Sequence, residues 1–371
     1  MRVLFLAKRH YMSRDLLLDR YGRFYELPVA LAGRGAGVRV SSLSYYNDGE
    51  TNDLQVEEEG VAWRSCYAGR NLPLGIYRYY RSLCHSMARE RPDVIVGASD
   101  SVHVILAARL ARRFRIPWCA DLYDNFESYG QMLLPGLRRA YRAAVGAADA
   151  VTVVSGALRG HILETCRPRG RVEVIENAVP QGLFHPMDRR RARGELGLPV
   201  NGRLMGTAGS LYRSRGLADL YRAFRQLSER LDDVYLVLAG RVGTRLPVPV
   251  HDRVLYLGDL PYERTPVLYN ALDVGVICNR DDPFGRYCFP QKLYEMAACG
   301  IPIVAAAVGA SADLFRDCPA SLYAPGDAAG LAGAVLGQFR DGRRAGFPVP
   351  TWSGQGQRLL GILAAVAGDG G

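Results

Sequence analysis

Lysine is nearly missing from this chain. Of its 47 basic side chains only Lys8 and Lys292 are lysines; the rest are arginines. Arginine offers a planar fork, whereas lysine offers a compact point charge on a flexible stem. A compact ammonium suits an ester or pyrophosphate oxygen in a tight site. The alternative is two surface lysines without a role. Other absences narrow the classes further. No apolar run approaches the length needed to span a bilayer. The segment Met1–Ala7 is apolar, but Lys8-Arg9-His10 follow it, the reverse of a secretory signal's order, so it reads as a buried strand. The eight cysteines contain no Cys-x-x-Cys pair and no histidine at zinc-like spacing. Scattered through apolar segments, they read as small hydrophobes in a reducing cytoplasm, with no structural metal. Net charge is +10. The arginine clusters Arg112-Arg113, Arg138-Arg139, Arg189-Arg190-Arg191 and Arg343-Arg344 come with no helix-turn-helix, zinc-finger or RNP pattern. Nucleic acid is therefore set aside, and an anionic small substrate or a membrane surface remains.

What is present is an alternation of strands and helices over 371 residues, enough for two domains. Short β-rich runs predict strands at residues 2–7, 38–43, 93–98, 117–122, 150–155 and 172–175. Helical patterns fall at 23–33, 73–89, 102–114, 134–146 and 157–166. After Phe184-His185-Pro186 a polar basic stretch, Met187 to Arg191, reads as a connection. The pattern then restarts, with strands expected at 204–208, 234–239, 254–257, 274–278, 303–306 and 321–323. Helices are expected at 217–231, 264–271, 291–298, 310–317 and 330–340. The reading is an α/β protein of two Rossmann-like parallel-sheet domains, residues 1–185 and 186–351. A last segment, 352–371, is expected to return to the first domain. Two such domains facing one another would place the carboxyl ends of both sheets along a shared cleft, the usual place for a ligand.

A dinucleotide fingerprint is missing. Gly33-Arg34-Gly35-Ala36-Gly37 ends a helix instead of following a strand, and Gly206-Thr207-Ala208-Gly209 lacks the third glycine. The P-loop pattern is absent too. The run Gly209-Ser210-Leu211-Tyr212-Arg213-Ser214-Arg215-Gly216 leaves a predicted strand and opens a helix. Glycine permits close backbone approach, a helix start favours an anion, and Arg213 and Arg215 add charge. An ordinary strand–helix turn with solvated arginines is the competing reading. The richest segment runs from Asp282-Pro283-Phe284-Gly285 through Gln291-Lys292-Leu293-Tyr294-Glu295 to Cys299-Gly300-Ile301-Pro302. It places Lys292 and Glu295 one turn apart. A cation for phosphate and a carboxylate for ribose hydroxyls at one helix start is what a nucleoside diphosphate needs; a surface ion pair is the alternative.

Taken together these segments resemble a retaining glycosyltransferase of family 4, the glycosyl transferases group 1 type, with the two-domain GT-B fold. Asp149-Ala150-Val151-Thr152-Val153-Val154-Ser155 is similar to the family's Ala-Asp-x-Val-x-x-x-Ser strand. Val174 to Val179, followed by Phe184-His185-Pro186, is similar to its linker motif. Gly209…Arg215-Gly216 resembles its phosphate loop, and Glu295-Met296-Ala297-Ala298-Cys299-Gly300-Ile301-Pro302 its Glu-Ala-Met-Ala-Cys-Gly-x-Pro helix. Ala324-Pro325-Gly326-Asp327 resembles its late Pro-Gly-Asp turn. Departures exist. Tyr287 stands at the first position of the family's Glu-x7-Glu, and Asp282-Pro283-Phe284-Gly285 lies upstream of the usual Glu-x-Phe-Gly. Ser210 and Arg215 replace the usual arginine and lysine of the phosphate loop. Lys8-Arg9-His10-Tyr11 stands where a glycine-rich loop is usual, and Asp121-Leu122-Tyr123-Asp124 where a histidine is usual.

The resemblance implies transfer of a sugar from a UDP- or GDP-linked donor to a hydroxyl acceptor, either a sugar or a lipid-linked molecule, in glycan, exopolysaccharide or glycoconjugate synthesis. It implies no cofactor and no metal. Donor-side residues would be Gly209, Ser210, Arg213, Arg215, Gly240, Tyr287, Lys292 and Glu295. Arg215 and Lys292 would stabilise the departing diphosphate, and Asp124 would orient the sugar or acceptor unless it is a helix cap. Lys8, Arg9, His10 and Arg23 would lie on the acceptor side. Tyr77-Arg78-Tyr79-Tyr80-Arg81 either meets anionic lipid headgroups or turns Tyr77, Tyr80 and Cys84 to the core. The chain is expected in the cytoplasm, with peripheral contact at the inner membrane face as an option. A nucleotide-sugar epimerase of the same fold and a non-catalytic sugar-nucleotide-binding subunit are the alternatives.

Overall fold

The structure is a computed structural model that describes residues 1–12 and 14–368; residues 369–371 of the expected returning segment lie outside the described residues. The chain divides into two compact units. One is built from Met1–Asn177 with the C-terminal helix Trp352–Gly368, the other from Ala178–Thr351. The division thus falls at Asn177/Ala178, upstream of the Phe184-His185-Pro186 motif.

In the first unit the strands are β1 (Arg2–Lys8), a small antiparallel pair β2 (His10–Tyr11) and β3 (Arg14–Asp15), β4 (Gly37–Ser44), β5 (Leu54–Glu58), β6 (Val61–Tyr67), β7 (Val94–Ala98), β8 (Trp118–Leu122), β9 (Ala150–Val153) and β10 (Arg171–Val174). The main sheet has the order β10-β9-β8-β7-β1-β4-β6-β5. All neighbours are parallel except β5, which runs back against β6. The central strands β7 and β8 are buried at every position, as helices on both faces of a parallel sheet require. The β5–β6 hairpin was not expected from the sequence. Its turn, Glu59-Gly60, holds both residues at positive φ, 51° and 71°, the backbone that tight hairpins use. The run of three glutamates hid the alternation of Val61, Trp63 and Ser65, which are the inward positions of β6. The helix Trp352–Gly368 returns to this unit and packs on the helix Arg23–Ala32. A Cβ added at Gly356 would lie 2.4 Å from the Cβ of Ala30, so the close crossing needs a glycine there.

The second unit contains β11 (Arg203–Ala208), β12 (Val234–Ala239), β13 (Val254–Tyr256), β14 (Val274–Ile277), β15 (Ile303–Ala306) and β16 (Leu322–Tyr323). They form one parallel sheet of order β13-β12-β11-β14-β15-β16. The chain builds outward from β11 in one direction and then from β14 in the other. The carboxyl ends of β11 and β14 therefore flank a topological switch point, where open α/β sheets leave a crevice. Leu217, Leu220 and Phe224 of the helix Leu217–Ser228 join Met205, Leu236 and Val276 of the strands in its core. The basic stretch read as a connection is in fact the helix Arg189–Glu195, capped by Asp188, which accepts from Arg191 N at 2.8 Å. Arg193 on that helix is buried because Asp273 (2.6 Å) and the carbonyls of Ala271, Val200 and Gly202 take up its guanidinium.

Candidate functional site

The loops after β11 and β14 bring most of the expected donor-side residues to the switch point of the second unit. After β11 the chain passes through Gly209 and Ser210, both exposed, to a turn at Arg213–Arg215, and enters the helix Leu217–Ser228 through Gly216. Gly209 and Gly240 lie at φ 105° and 119°. A Cβ on Gly240 would meet the carbonyl oxygen of Gly209 at 1.9 Å, so the loop after β12 fixes the phosphate-loop candidate by direct backbone contact. Gly240 is buried: it shapes the loop.

Lys292 sits in the first turn of the helix Gln291–Ala298, one of the elements read correctly from the sequence. Its Nζ is 3.5 Å from Thr207 Oγ1, near the carboxyl end of β11, and would be 3.6 Å from a Cβ placed on Gly209. It makes no ion pair among the described residues. Burial, with Arg215 adding to it, lowers the pKa of this ammonium from its ordinary value. Arg215 likewise has no ion pair among the described residues; its guanidinium stacks over the Phe284 ring at 3.7 Å. Two cations near one switch point, one of them desolvated and pulled down by the other, form a site that an anion would relieve. Neither Thr207 nor Phe284 was singled out as a ligand-facing residue from the sequence. Thr207 lies within an apolar strand, and the approach of Phe284 to Arg215 depends on sheet order.

Glu295 stands on the next turn, but its carboxylate is turned inward and only 4% exposed. Tyr262 donates to Oε1 at 3.0 Å and Tyr269 to Oε2 at 3.2 Å. Burial pushes its pKa up to about 7, against the opposing effect of the two hydroxyls and Lys292. Tyr287 is half-buried at the end of the short helix Pro283–Tyr287, and Arg213 is exposed.

The expected acceptor-side residues divide sharply. The side chains of Arg9 and Arg23 are buried in the protein. Arg9 is 0% exposed: it donates to Asp15 at 2.7 Å, to Thr51 Oγ1 at 3.1 Å and to the Thr51 carbonyl. Arg23, 1% exposed, grips Asp121 through Nε (2.8 Å) and Nη2 (2.6 Å) and donates to the Ile175 carbonyl at 2.6 Å. Thr152 completes the cluster by donating to Asp121 at 2.6 Å. Both arginines are structural, because a buried guanidinium is tolerated only when paired and hydrogen-bonded. His10 is half-buried, its Nε2 3.2 Å from Asp48. Lys8 closes β1 beside β7. Its backbone donates to Ser99 Oγ at 2.7 Å, and its Nζ lies 3.3 Å from Tyr123 OH. Tyr123 OH lies 3.3 Å from Tyr129 OH, and Tyr129 donates to Asp124 Oδ2 at 2.6 Å. Asp124 is not the cap of the next turn. Asn125 is, accepting from Glu127 N at 3.1 Å, while Asp124 is 4% exposed and accepts from Asn125 N.

At the end of β7 lies a group the sequence reading passed over. Asp100 accepts from Tyr45 OH at 2.9 Å and lies 2.7 Å from His103 Nδ1. Burial alone would raise its carboxyl, but His103 and Lys8 override that and bring it to about 2. The cap pattern Ser99-Asp100-Ser101 before an apolar run was the available signal. On the helix Leu72–Arg89, Tyr79, Leu83 and Met87 face inward. The alternative that turned Tyr77, Tyr80 and Cys84 to the core is therefore displaced, and Tyr77 is 55% exposed.

Comparison with known proteins agrees with this architecture. Residues 23–178 match the family described as glycosyl transferase 4-like domain, and residues 202–341 match glycosyl transferases group 1. Among curated proteins, a D-inositol 3-phosphate glycosyltransferase of Acidothermus cellulolyticus is 29% identical over 192 residues, 47% of this chain and 42% of that protein. One from Mycobacterium tuberculosis is 30% identical over 159 residues, 40% of this chain and 31% of that protein. The chain thus spans less than half the length of these curated relatives. Among solved structures, sucrose-phosphate synthase from Thermosynechococcus elongatus matches with a TM-score of 0.73 at 19% identity, covering 100% of this chain and 97% of the other. Anabaena HepE in complex with UDP matches with a TM-score of 0.70 at 19% identity, covering 100% and 98%. The two family matches fall one on each unit: residues 23–178 belong to the glycosyl transferase 4-like domains and residues 202–341 to the glycosyl transferases group 1, in a chain with the α/β GT-B fold of two parallel-sheet domains.

Proposed function

We propose that the protein is a retaining glycosyltransferase that moves a sugar from a nucleoside-diphosphate sugar to a hydroxyl acceptor in glycan, exopolysaccharide or glycoconjugate synthesis. The observation that carries this reading is the convergence of Lys292, Arg215 and the Gly209 loop on the switch point of a Rossmann-ordered sheet. The two cations offset the charge that develops on the departing diphosphate. Lys292 would take a phosphate oxygen end-on and Arg215 would take others through its fork. Glu295 stands one turn further along the same helix, but its carboxylate is buried and held by Tyr262 and Tyr269, so its part would be to fix the helix that presents Lys292. The bond from the sugar's anomeric carbon to the diphosphate breaks while the acceptor oxygen bonds the same face. The acceptor's proton passes to the departing phosphate oxygen, so no protein nucleophile and no metal enters the step.

A UDP-linked donor is supported by structural neighbours solved with UDP or UDP-glucose; GDP is the other base considered. In the first unit, Asp124 and Lys8, tied through Tyr129 and Tyr123, are the proposed acceptor-orienting groups. Exposed Leu72, Leu74 and Tyr77 beside Arg78 and Arg81 support a lipid-linked acceptor and peripheral contact at the inner membrane face of the cytoplasm. No described helix is long and apolar enough to cross a membrane. The test is incubation with a panel of UDP- and GDP-sugars and simple glycoside acceptors, reading nucleoside diphosphate release and the anomeric configuration of the product by NMR. Release with a retained anomer supports the proposal. An inverted anomer refutes retention, an epimerised donor identifies an epimerase, and binding without turnover identifies a binding subunit.

A further inference from the structure

The geometry points to Phe284 as a positioning residue for Arg215, and hence as a determinant of donor affinity; this rests on the donor-site reading above. Phe284 belongs to the loop after β14 and Arg215 to the loop after β11, on opposite sides of the switch point. The Arg215 guanidinium carbon lies 3.7 Å from the centre of the Phe284 ring, close contact for a cation over an aromatic face. Among the described residues no hydrogen bond from the Arg215 side chain accompanies that contact. Among the described residues it makes no ion pair, unlike buried Arg193, which is clamped at four points. A long flexible side chain without a partner samples many rotamers, and ordering it on binding costs entropy. The ring removes part of that cost beforehand while leaving the guanidinium's N–H edges unspent.

The short helix that carries the ring is held from several directions. Asp282 caps its helix by accepting from Gly285 N at 2.9 Å, and Arg286 pairs with Asp281. A Cβ on Gly285 would meet the Arg280 carbonyl at 1.9 Å, and one on Gly309 would meet the Arg286 carbonyl at 2.5 Å. This packing fixes the backbone from which the Phe284 ring projects toward Arg215. The ring is only half-buried.

The test is a double-mutant cycle on affinity for UDP and GDP by calorimetry, using the base that binds more tightly. The four proteins are wild type, Phe284→Leu, Arg215→Ala and the double variant, with Phe284→Tyr as the conservative control. Phe284→Leu should weaken binding about three- to tenfold in the wild-type background, the range of a partly exposed cation–π contact. In the Arg215→Ala background the same change should have almost no effect, and Phe284→Tyr should keep wild-type affinity. Equal losses in both backgrounds, or no loss with Arg215 present, overturn the inference while leaving the donor site standing. If wild type binds neither nucleotide, the donor-site reading and this inference fall together. Thermal unfolding of each variant separates a lost fold from a lost contact, and a Phe284→Tyr protein that folds but binds weakly also counts against the inference.

Discussion

Replacing Arg23 should cost stability, not acceptor affinity, although the sequence suggested a ligand-facing role. The side chain is buried and delivers two charge-assisted hydrogen bonds to Asp121, at 2.8 and 2.6 Å, and one to the Ile175 carbonyl at 2.6 Å. Asp121 is 0% exposed and, among the described residues, keeps the Thr152 hydroxyl, at 2.6 Å, once the guanidinium is gone. Arg23→Met leaves a buried carboxylate that must either stay charged without its partner or take up a proton. Breaking such a pair from one side typically costs about 3–5 kcal/mol. For a unit of this size, each kcal/mol moves the melting temperature by about 2–4 °C, so a fall on the order of 10 °C is expected. Arg23→Met combined with Asp121→Leu should recover much of that loss, because both desolvated charges are then removed. Calorimetric melting of the three variants and wild type, followed through the first unit's transition, measures this. A single variant that melts within about 2 °C of wild type, the shift from about one kcal/mol or less, would refute the structural assignment, particularly with a raised KM for acceptor.

Glu295 should make stability fall as pH rises. Its carboxyl is raised from 4.5 to about 7 in the folded protein, so the native state holds the extra proton between those values. The stabilisation is full below the unfolded pKa and lost as pH climbs through about 7, roughly 3 kcal/mol in all at 1.36 kcal/mol per unit. Urea midpoints from pH 4.5 to 7.5 should slope downward in wild type and flatten in Glu295→Gln. Gly240→Ala should destabilise the second unit and weaken nucleotide binding together, since the new methyl would strike the Gly209 carbonyl at 1.9 Å and the backbone at φ 119° disfavours alanine. Melting and calorimetry on the same preparation check both.

The second sheet was legible because its strands are short apolar runs and most are followed by a helix with its own start signal, as at Gly216-Leu217 and Pro290-Gln291. The β5–β6 hairpin was not, since Glu57, Glu58 and Glu59 mask its alternation. Lys292 was found by rarity and by its motif. Thr207 beside it and Phe284 against Arg215 were not, because β11 and the segments that follow β11 and β14 meet only once the sheet order places those strands side by side. Arg9 and Arg23 misled for a different reason. A cation just after a first strand, or at the start of the first helix, looks the same in sequence whether it faces a ligand or an aspartate of the protein, and Asp121 lies far from Arg23 along the chain. Asp100 and His103 were hidden by their role as a helix start, which explained the residues without asking what else touched them.

The central claim is that the nucleoside diphosphate binds the second unit with Lys292 on its phosphates. The most direct measurement is calorimetric titration of UDP and GDP into wild type and Lys292→Ala at one ionic strength. A charge-assisted contact of about 1.5–3 kcal/mol predicts a loss of about tenfold or more in affinity for the preferred nucleotide, with the variant's melting temperature at or above wild type because a desolvated cation has been removed. Equal affinity in a folded Lys292→Ala protein would contradict it.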